Sequence, residues 1–323
     1  MKRHLIPAFL MVLAVACTPD APSSPAALQT IRLPMGYLPS VQYAPFYVAE
    51  ARGYFAEEGL ALEFDYAFET DGVKLVGAND LPFSLASGEQ VLLARQQDLP
   101  VVYVLGWWQD YPVAIAASAS SGIDEPADLA GRTVGIPLLG GASYIGYAAM
   151  MSANGLPLDA ATLQVIGFTQ AEALQAGQVE AAVVYANNEP IVLASQGFPV
   201  NVLRVADYVT LASNGIITNE ATLRDDPELV RRMLRAAVRG LQDTLDDPDA
   251  AFEICKGYVE GLSGEAEAIQ RQVLAESLLF WKADRLGYSQ PAAWENMQRV
   301  MIEADLLADP QDLAQAYTNE FVP

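Results

Sequence analysis

Apolar runs and amphipathic stretches alternate along the first half of the chain. Ile31–Gly36, Leu62–Tyr66, Leu81–Leu85 and the wholly apolar Val101–Gly106 read as strands. Between them Ala44–Glu57, stopped by Gly59, then Asp71–Val76 and Gly88–Gln96 read as helices. A second cycle starts near Ile123. Its strands are Arg132–Ile136, Gln164–Ile166, Glu180–Val184 and Val200–Leu203, and its helices Ala142–Ala153, Gln170–Ala176 and Asn188–Ser195. Such alternation predicts an α/β fold of open sheets with parallel pairing, which place ligands at the carboxyl ends of their strands. Val113–Ser118 and Ala212–Asn219 flank the second cycle as extended segments and read as crossovers. Beyond Asn219 only helices are predicted. Pro227 opens one in which Leu229, Met233, Ala237, Leu241 and Leu245 form an apolar stripe, and others cover about Pro248–Tyr258, Glu265–Trp281, Pro291–Asp305 and Pro310–Tyr317. This tail is expected to return over the first lobe, giving lobe one as residues 30–117 and 219–323 and lobe two as 118–218. Two lobes also suit a chain longer than a single core usually serves.

The N-terminal segment has a different pattern. Lys2 and Arg3 precede an apolar run from Leu5 to Ala16, too short for a membrane span and flanked as a secretory signal is. Residues 1–16 are therefore expected to be a signal peptide. Leu13-Ala14-Val15-Ala16-Cys17 resembles the bacterial lipobox, whose cysteine carries diacylglycerol, although Ala14 stands where that motif usually has Leu. The resemblance implies lipidation at Cys17 and attachment to the cell membrane on its extracytoplasmic side. Residues 17–29, rich in Pro and Ser, then form a flexible tether.

Charge and rare residues narrow the chemistry. The formal charge of −22 becomes −24 without Lys2 and Arg3, and a domain this acidic does not bind nucleic acid through phosphates. Cysteine occurs only at positions 17 and 255, so no disulfide joins two core cysteines. The single histidine, His4, lies inside the signal. A mature chain without imidazole has neither Ser-His nor Cys-His catalysis nor any histidine metal site. The expectation is a protein that is not an enzyme and uses no metal or cofactor.

Several strings resemble one family. Tyr43-Ala44-Pro45-Phe46-Tyr47-Val48-Ala49 runs into Arg52-Gly53-Tyr54-Phe55-Ala56-Glu57-Glu58-Gly59-Leu60, and Asp128-Leu129-Ala130-Gly131-Arg132-Thr133-Val134-Gly135 and Gly141-Ala142-Ser143-Tyr144 follow. Together they resemble the periplasmic binding proteins that include the thiamine-precursor binders and share the fold of the yeast pyrimidine synthases. The resemblance implies a type II binding-protein fold: two α/β lobes joined by two crossover strands and closing on ligand by a hinge. Those synthases rely on an active-site histidine and a cysteine-rich motif, both missing here, so binding rather than synthesis is implied. The pyrimidine binders also tend to carry His where this chain has Tyr43.

Candidate ligand-binding residues follow strand ends. A planar heterocycle needs aromatic faces and a few convergent polar groups. In lobe one these are Tyr37, Gln42, Tyr43, Ser87, Trp107 and Trp108. Adjacent tryptophans on an extended chain point to opposite sides, so only one of that pair is expected in the cleft. In lobe two Ser143 and Tyr144 stand at a helix start whose free N–H groups receive an acceptor; Ser143 as a plain helix cap is the alternative. Tyr185, Asn187, Asn188 and Glu189 follow the strand ending at Val184, with Asn214 on the returning crossover. By resemblance Glu189 is the ligand-contacting Glu of the thiamine-precursor binders, with a capping cluster as the alternative. The Trp pair, Gly140-Gly141-Ala142-Ser143-Tyr144 and Asn187-Asn188-Glu189-Pro190 are most similar to the riboflavin-binding components of bacterial flavin importers. The implied function is a monomeric solute-binding lipoprotein that captures riboflavin, as transported ligand, for an ABC permease and its ATPase. A thiamine-precursor aminopyrimidine is the alternative ligand, and a carboxylate-based hydrolase on the same scaffold the alternative class.

Overall fold

The computed structural model describes residues 27–323, so the signal, Cys17 and most of the tether lie outside the described residues. The strands are β1 (Gln29–Gly36), β2 (Leu60–Phe68), β3 (Ser84–Ser87), β4 (Val101–Gly106), β5 (Val113–Ser118), β6 (Thr133–Ile136), β7 (Thr162–Val165), β8 (Ala181–Tyr185), β9 (Val200–Arg204) and β10 (Asn214–Asn219). The helices in the first two cycles are α1 (Ala44–Ala51), α2 (Tyr54–Glu57), α3 (Glu69–Gly77), α4 (Gly88–Gln96), α5 (Gly141–Ala153), α6 (Gln170–Gln175) and α7 (Glu189–Ser195). Those of the tail are α8 (Glu220–Asp225), α9 (Pro227–Asp246), α10 (Pro248–Cys255), α11 (Glu265–Trp281), α12 (Pro291–Glu303) and α13 (Leu313–Ala316).

Lobe one holds the parallel pair β1–β2 and the sheet β3-β10-β4, in which β10 runs antiparallel to both neighbours. The Ser84 hydroxyl donates to the Pro34 carbonyl at 3.3 Å and ties β3 to β1. Lobe two is a five-stranded sheet, β7-β6-β8-β5-β9. Here the pairing corrects the expected lobe limits. Val113–Ser118 pairs along its length with β8 and β9, so it belongs to lobe two, while Asn214–Asn219 is the central strand of lobe one. The crossings are thus the two short segments before β5 and before β10. The first is held to lobe one where Trp108 N–H donates to the carbonyl of Asn214, the first residue of β10, at 3.2 Å.

Side-chain alternation along these strands builds two apolar layers. Val102, Val104, Ala114, Ala116 and Ile216 face one; Val101, Tyr103, Val113, Ile115 and Ile217 face the other. The core therefore follows the two faces of the sheets rather than forming one cluster per lobe.

Local differences from the sequence reading have identifiable causes. The helix expected over Ala44–Glu57 is divided at Gly53, whose φ of +75° interrupts it. The strand expected at Leu81–Leu85 is Ser84–Ser87, since Pro82 offers no N–H and pairing with β10 starts at Ser84 opposite Ile217. At the end of the chain only Leu313–Ala316 of the expected Pro310–Tyr317 is helical, with Asp312 capping Ala314 N–H.

The tail does return over lobe one. It shields the open edge of β4, where Gly106 N–H donates to the Gly287 carbonyl and Thr318 N–H to the Tyr103 carbonyl, both at 2.9 Å. It also reaches lobe two, which was not expected. Ser277 on α11 accepts from Asn187 at 2.9 Å, Arg204 pairs with Glu276, and Arg299 on α12 donates to Ser152 of α5 at 2.9 Å. Nearest the N-terminal half, α9 packs on α1 through Gly240, where a Cβ would fall 2.1 Å from the Pro45 carbonyl oxygen and 2.7 Å from the Ala49 Cβ. In an exposed helix Gly→Ala stabilises by about 1 kcal/mol. At this contact Gly240→Ala is expected to destabilise by about 2 kcal/mol, read as a lowered urea midpoint with unchanged slope.

Candidate ligand-binding cleft

The carboxyl ends of β1, β4, β6 and β8 converge between the lobes on a cavity of about 250 Å³. Ten of the thirteen predicted residues line it: Tyr37, Gln42, Tyr43, Trp107, Trp108, Ser143, Tyr185, Asn188, Glu189 and Asn214. Both tryptophans are present, contrary to the expectation of one. The strand ends at Gly106, so the two no longer alternate; their rings lie 6.2 Å apart at 58° and form one wall. That wall is rigid. Trp107 packs edge-on against Phe46 at 5.3 Å and beside Tyr43 at 6.2 Å, while Trp108 is held by Phe280 and Trp281 of α11 at 5.9 and 5.6 Å. Tyr43 uses its hydroxyl structurally, donating to the Met35 carbonyl at 2.7 Å, and offers the cavity its ring. Tyr37, half exposed, stands at the rim.

Lobe two contributes the start of α5. Gly140, Gly141, Ala142 and Ser143 line the cavity, and Gly140 as N-cap has no side chain to satisfy the first N–H groups of the helix. Opposite them, Glu189 accepts from Tyr185 N–H at 2.8 Å and from the Asn188 amide at 3.3 Å. These bonds hold the carboxylate in place without capping α7, whose start has no side-chain cap. Burial is the main influence on its carboxyl and raises it above the ordinary range.

Three predicted residues are not in the cavity. Tyr144, one residue past Ser143 on the helix, turns away and packs against the second apolar layer. Asn187 is buried beside the site, where its amide donates to Gln42 Oε1 at 3.1 Å and Ser277 Oγ at 2.9 Å, binding both lobes and the tail together. Ser87 is buried between two glutamates. Its Oγ is 2.6 Å from Glu69 Oε1 and 2.5 Å from Glu89 Oε1, and its N–H also donates to Glu69.

Glu69 and Phe168 line the cavity and escaped the sequence reading. Glu69 fell in the gap between a strand expected to end at Tyr66 and a helix expected to begin at Asp71, and α3 in fact starts on it. Phe168, 71% exposed and three residues past β7, carried a readable signal: a large aromatic in the loop after a strand end. Among the described residues no lysine or arginine lines the cavity, and its two carboxylates, Glu69 and Glu189, make it acidic. Among the described residues no group of His, Cys, Asp or Glu could hold a metal ion, no helix is long and apolar enough to cross a membrane, and Cys255 is buried and free.

A family model described as NMT1/THI5 like matches residues 40–251. Over 335 aligned residues the chain is 41% identical to the riboflavin-binding protein RibY of Chloroflexus aurantiacus, covering 97% of this chain and 95% of that protein. It is 30% identical over 334 residues to the formylaminopyrimidine-binding protein of Halalkalibacterium halodurans, with 99% of each covered. Among solved structures it is similar to the periplasmic aliphatic sulphonate binding protein SsuA of Escherichia coli, with a TM-score of 0.73 and 14% identity over 88% of this chain and 91% of the other. The expected α/β, two-lobed periplasmic-binding-protein fold is the fold of this chain.

The buried Glu69–Glu89 pair makes stability depend on pH. Burial first, then the neighbouring Glu69 charge, pushes the Glu89 carboxyl up from 4.5 to about 8. The folded protein thus keeps a proton that the unfolded chain releases. Stability from this group is complete below pH of about 4.5 and is lost as pH rises towards about 8. Melting temperatures across this window are expected to fall more steeply in the wild type than in Glu89→Gln, and parallel curves would contradict the assignment.

Proposed function

The chain belongs to the NMT1/THI5-like family, and on that premise we propose that it captures riboflavin outside the cytoplasm and delivers it to an ABC permease with its ATPase. The observation that carries this reading is the composition of the cavity: the two inclined rings of Trp107 and Trp108 share its lining with carboxylates, amides and a helix start without a side-chain cap, and no Lys or Arg lines it among the described residues. A tricyclic isoalloxazine supplies a flat face for the wall, and its dione edge and ribityl hydroxyls supply partners for the polar groups. The relative named for riboflavin supports the same ligand over nearly the full length of both proteins.

The protein acts by binding alone in this proposal. It works as a monomer, exported by the segment 1–16 and lipidated at Cys17 to stay on the outer face of the cell membrane. A tether serves such a protein by holding the loaded cleft near its permease. Mass spectrometry of the membrane-associated protein tests the anchor: a diacylated N-terminal Cys17 is expected, and an unmodified N-terminus would contradict it.

Flavin fluorescence tests the ligand. Adding the protein to riboflavin is expected to quench emission through stacking, while unchanged emission and no calorimetric heat would reject riboflavin and leave formylaminopyrimidine as the ligand to try. Trp108→Ala and Glu189→Ala should each weaken binding by about 1–3 kcal/mol. Flavin mononucleotide should bind at least about thirtyfold more weakly than riboflavin, because its phosphate would enter an acidic site with no cation to receive it.

A further inference from the structure

Ser87 has one hydroxyl proton and two carboxylate neighbours. Its Oγ approaches Glu69 Oε1 at 2.6 Å and Glu89 Oε1 at 2.5 Å. Were both glutamates ionised, one of these contacts would set lone pair against lone pair. One carboxyl therefore carries a proton. Glu69 is the better anion, since it also receives the Ser87 N–H and borders the cavity. Glu89 is the better acid, being 0% exposed with Oε2 lacking a hydrogen-bond partner among the described residues. The proton on Glu89 is donated to Ser87 Oγ, and the Ser87 hydroxyl proton is directed to Glu69.

A second observation turns this arrangement towards a ligand. Trp107 Nε1 and Asn214 Oδ1 belong to residues lining the same cavity, are buried, and have no hydrogen-bond partner among the described residues. An unpaired donor and an unpaired acceptor on residues that line the same cavity as an acceptor carboxylate call for a ligand that offers both N–H and C=O, as a cyclic imide or amide does. We infer that Glu69 is the specificity-determining acceptor for a ring N–H of a neutral ligand, held ionised through Ser87 by the proton that Glu89 keeps behind it. This deepens the riboflavin reading and rests on it for the choice of probe.

The surroundings keep the relay to itself. Titratable groups that feel these two carboxylates from the packed elements are the phenols of Tyr43, Tyr103, Tyr111 and Tyr185, all raised mainly by burial and all neutral at physiological pH. Among the described residues no Lys or Arg acts on either glutamate. When Glu89 ionises, its charge competes with Glu69 for the one serine proton, so ligand binding weakens as pH rises through about 8.

Two separate measurements test the inference. The first needs no ligand: the infrared spectrum of the wild type minus that of Glu89→Gln should contain a protonated-carboxyl band at about pH 6.5 that disappears by about pH 9. Its absence at the lower pH would overturn the relay whatever the ligand. The second compares riboflavin with its N3-methylated analogue. Methylation should cost the wild type about tenfold or more in affinity and cost Glu69→Gln much less. Equal losses in the two proteins would overturn the role of Glu69. In Glu89→Gln, riboflavin affinity should stay level from about pH 6.5 to about pH 9 while the wild type loses about fivefold. Failure of the wild type to bind riboflavin at all, with the infrared band present, would remove the ligand and leave the proton relay standing.

Discussion

The joint between the lobes, where the Trp108 N–H of the first crossing meets the carbonyl of Asn214 at the start of β10, is the constraint on which the cleft depends. Each crossing segment leaves its sheet at the end where strand carbonyls and helix starts converge, the region where open α/β sheets bind ligands. Because Trp108 donates its N–H to the Asn214 carbonyl, the side chains of both residues are presented to the same space from a fixed backbone pair. The Tyr103 hydroxyl, bonded at 3.1 Å to the Ser213 carbonyl, anchors the same joint to β4. Lobe movement then has a narrow pivot. The contacts that Asn187, Arg204 and Ser152 make away from this pivot set how closely the lobes approach.

Those outer contacts explain the helical tail. A tail packed only on lobe one would stabilise that lobe and do nothing for the cleft. Here α11 supplies Phe280 and Trp281 beside Trp108 and Ser277 against Asn187, and so touches the tryptophan wall and lobe two at once. The side chains involved are short or locked by packing, so little conformational entropy is lost when the lobes meet.

Much of this was legible in the chain. Period-two and helical patterns gave nearly every element, because strands buried on both faces and an amphipathic α9 leave strong signals. Strand-end position found most of the cleft, since it depends on topology alone. What failed was partnership. Nothing in the run Val113–Ser118 says that it pairs with β8 and β9 rather than crossing between lobes, because an apolar strand and an apolar connection look alike until pairing is known. Asn187 and Ser87 were found as polar residues at the right places, yet Asn187 bonds to residues 145 and 90 positions away and Ser87 to one 18 positions away, contacts that no local pattern encodes. Glu69 was lost for a plainer reason: its helix begins two residues before the pattern suggested.

The electrostatics of the cleft also argue for what it holds. Two carboxylates with no cation raise the cost of closing the lobes, because each loses water without gaining an opposite charge. Glu189 offsets that cost with the Tyr185 N–H and the Asn188 amide. Glu69 does so with Ser87, whose own proton demand falls on Glu89. Neither device neutralises the site, so an anionic ligand would meet uncompensated charge from both lobes. A neutral ring with N–H and O–H groups meets acceptors already held in place by neighbours that do not have to move. The acidic cleft thus selects by what it lacks as much as by what it presents, and the tryptophan wall adds contact area that is indifferent to charge.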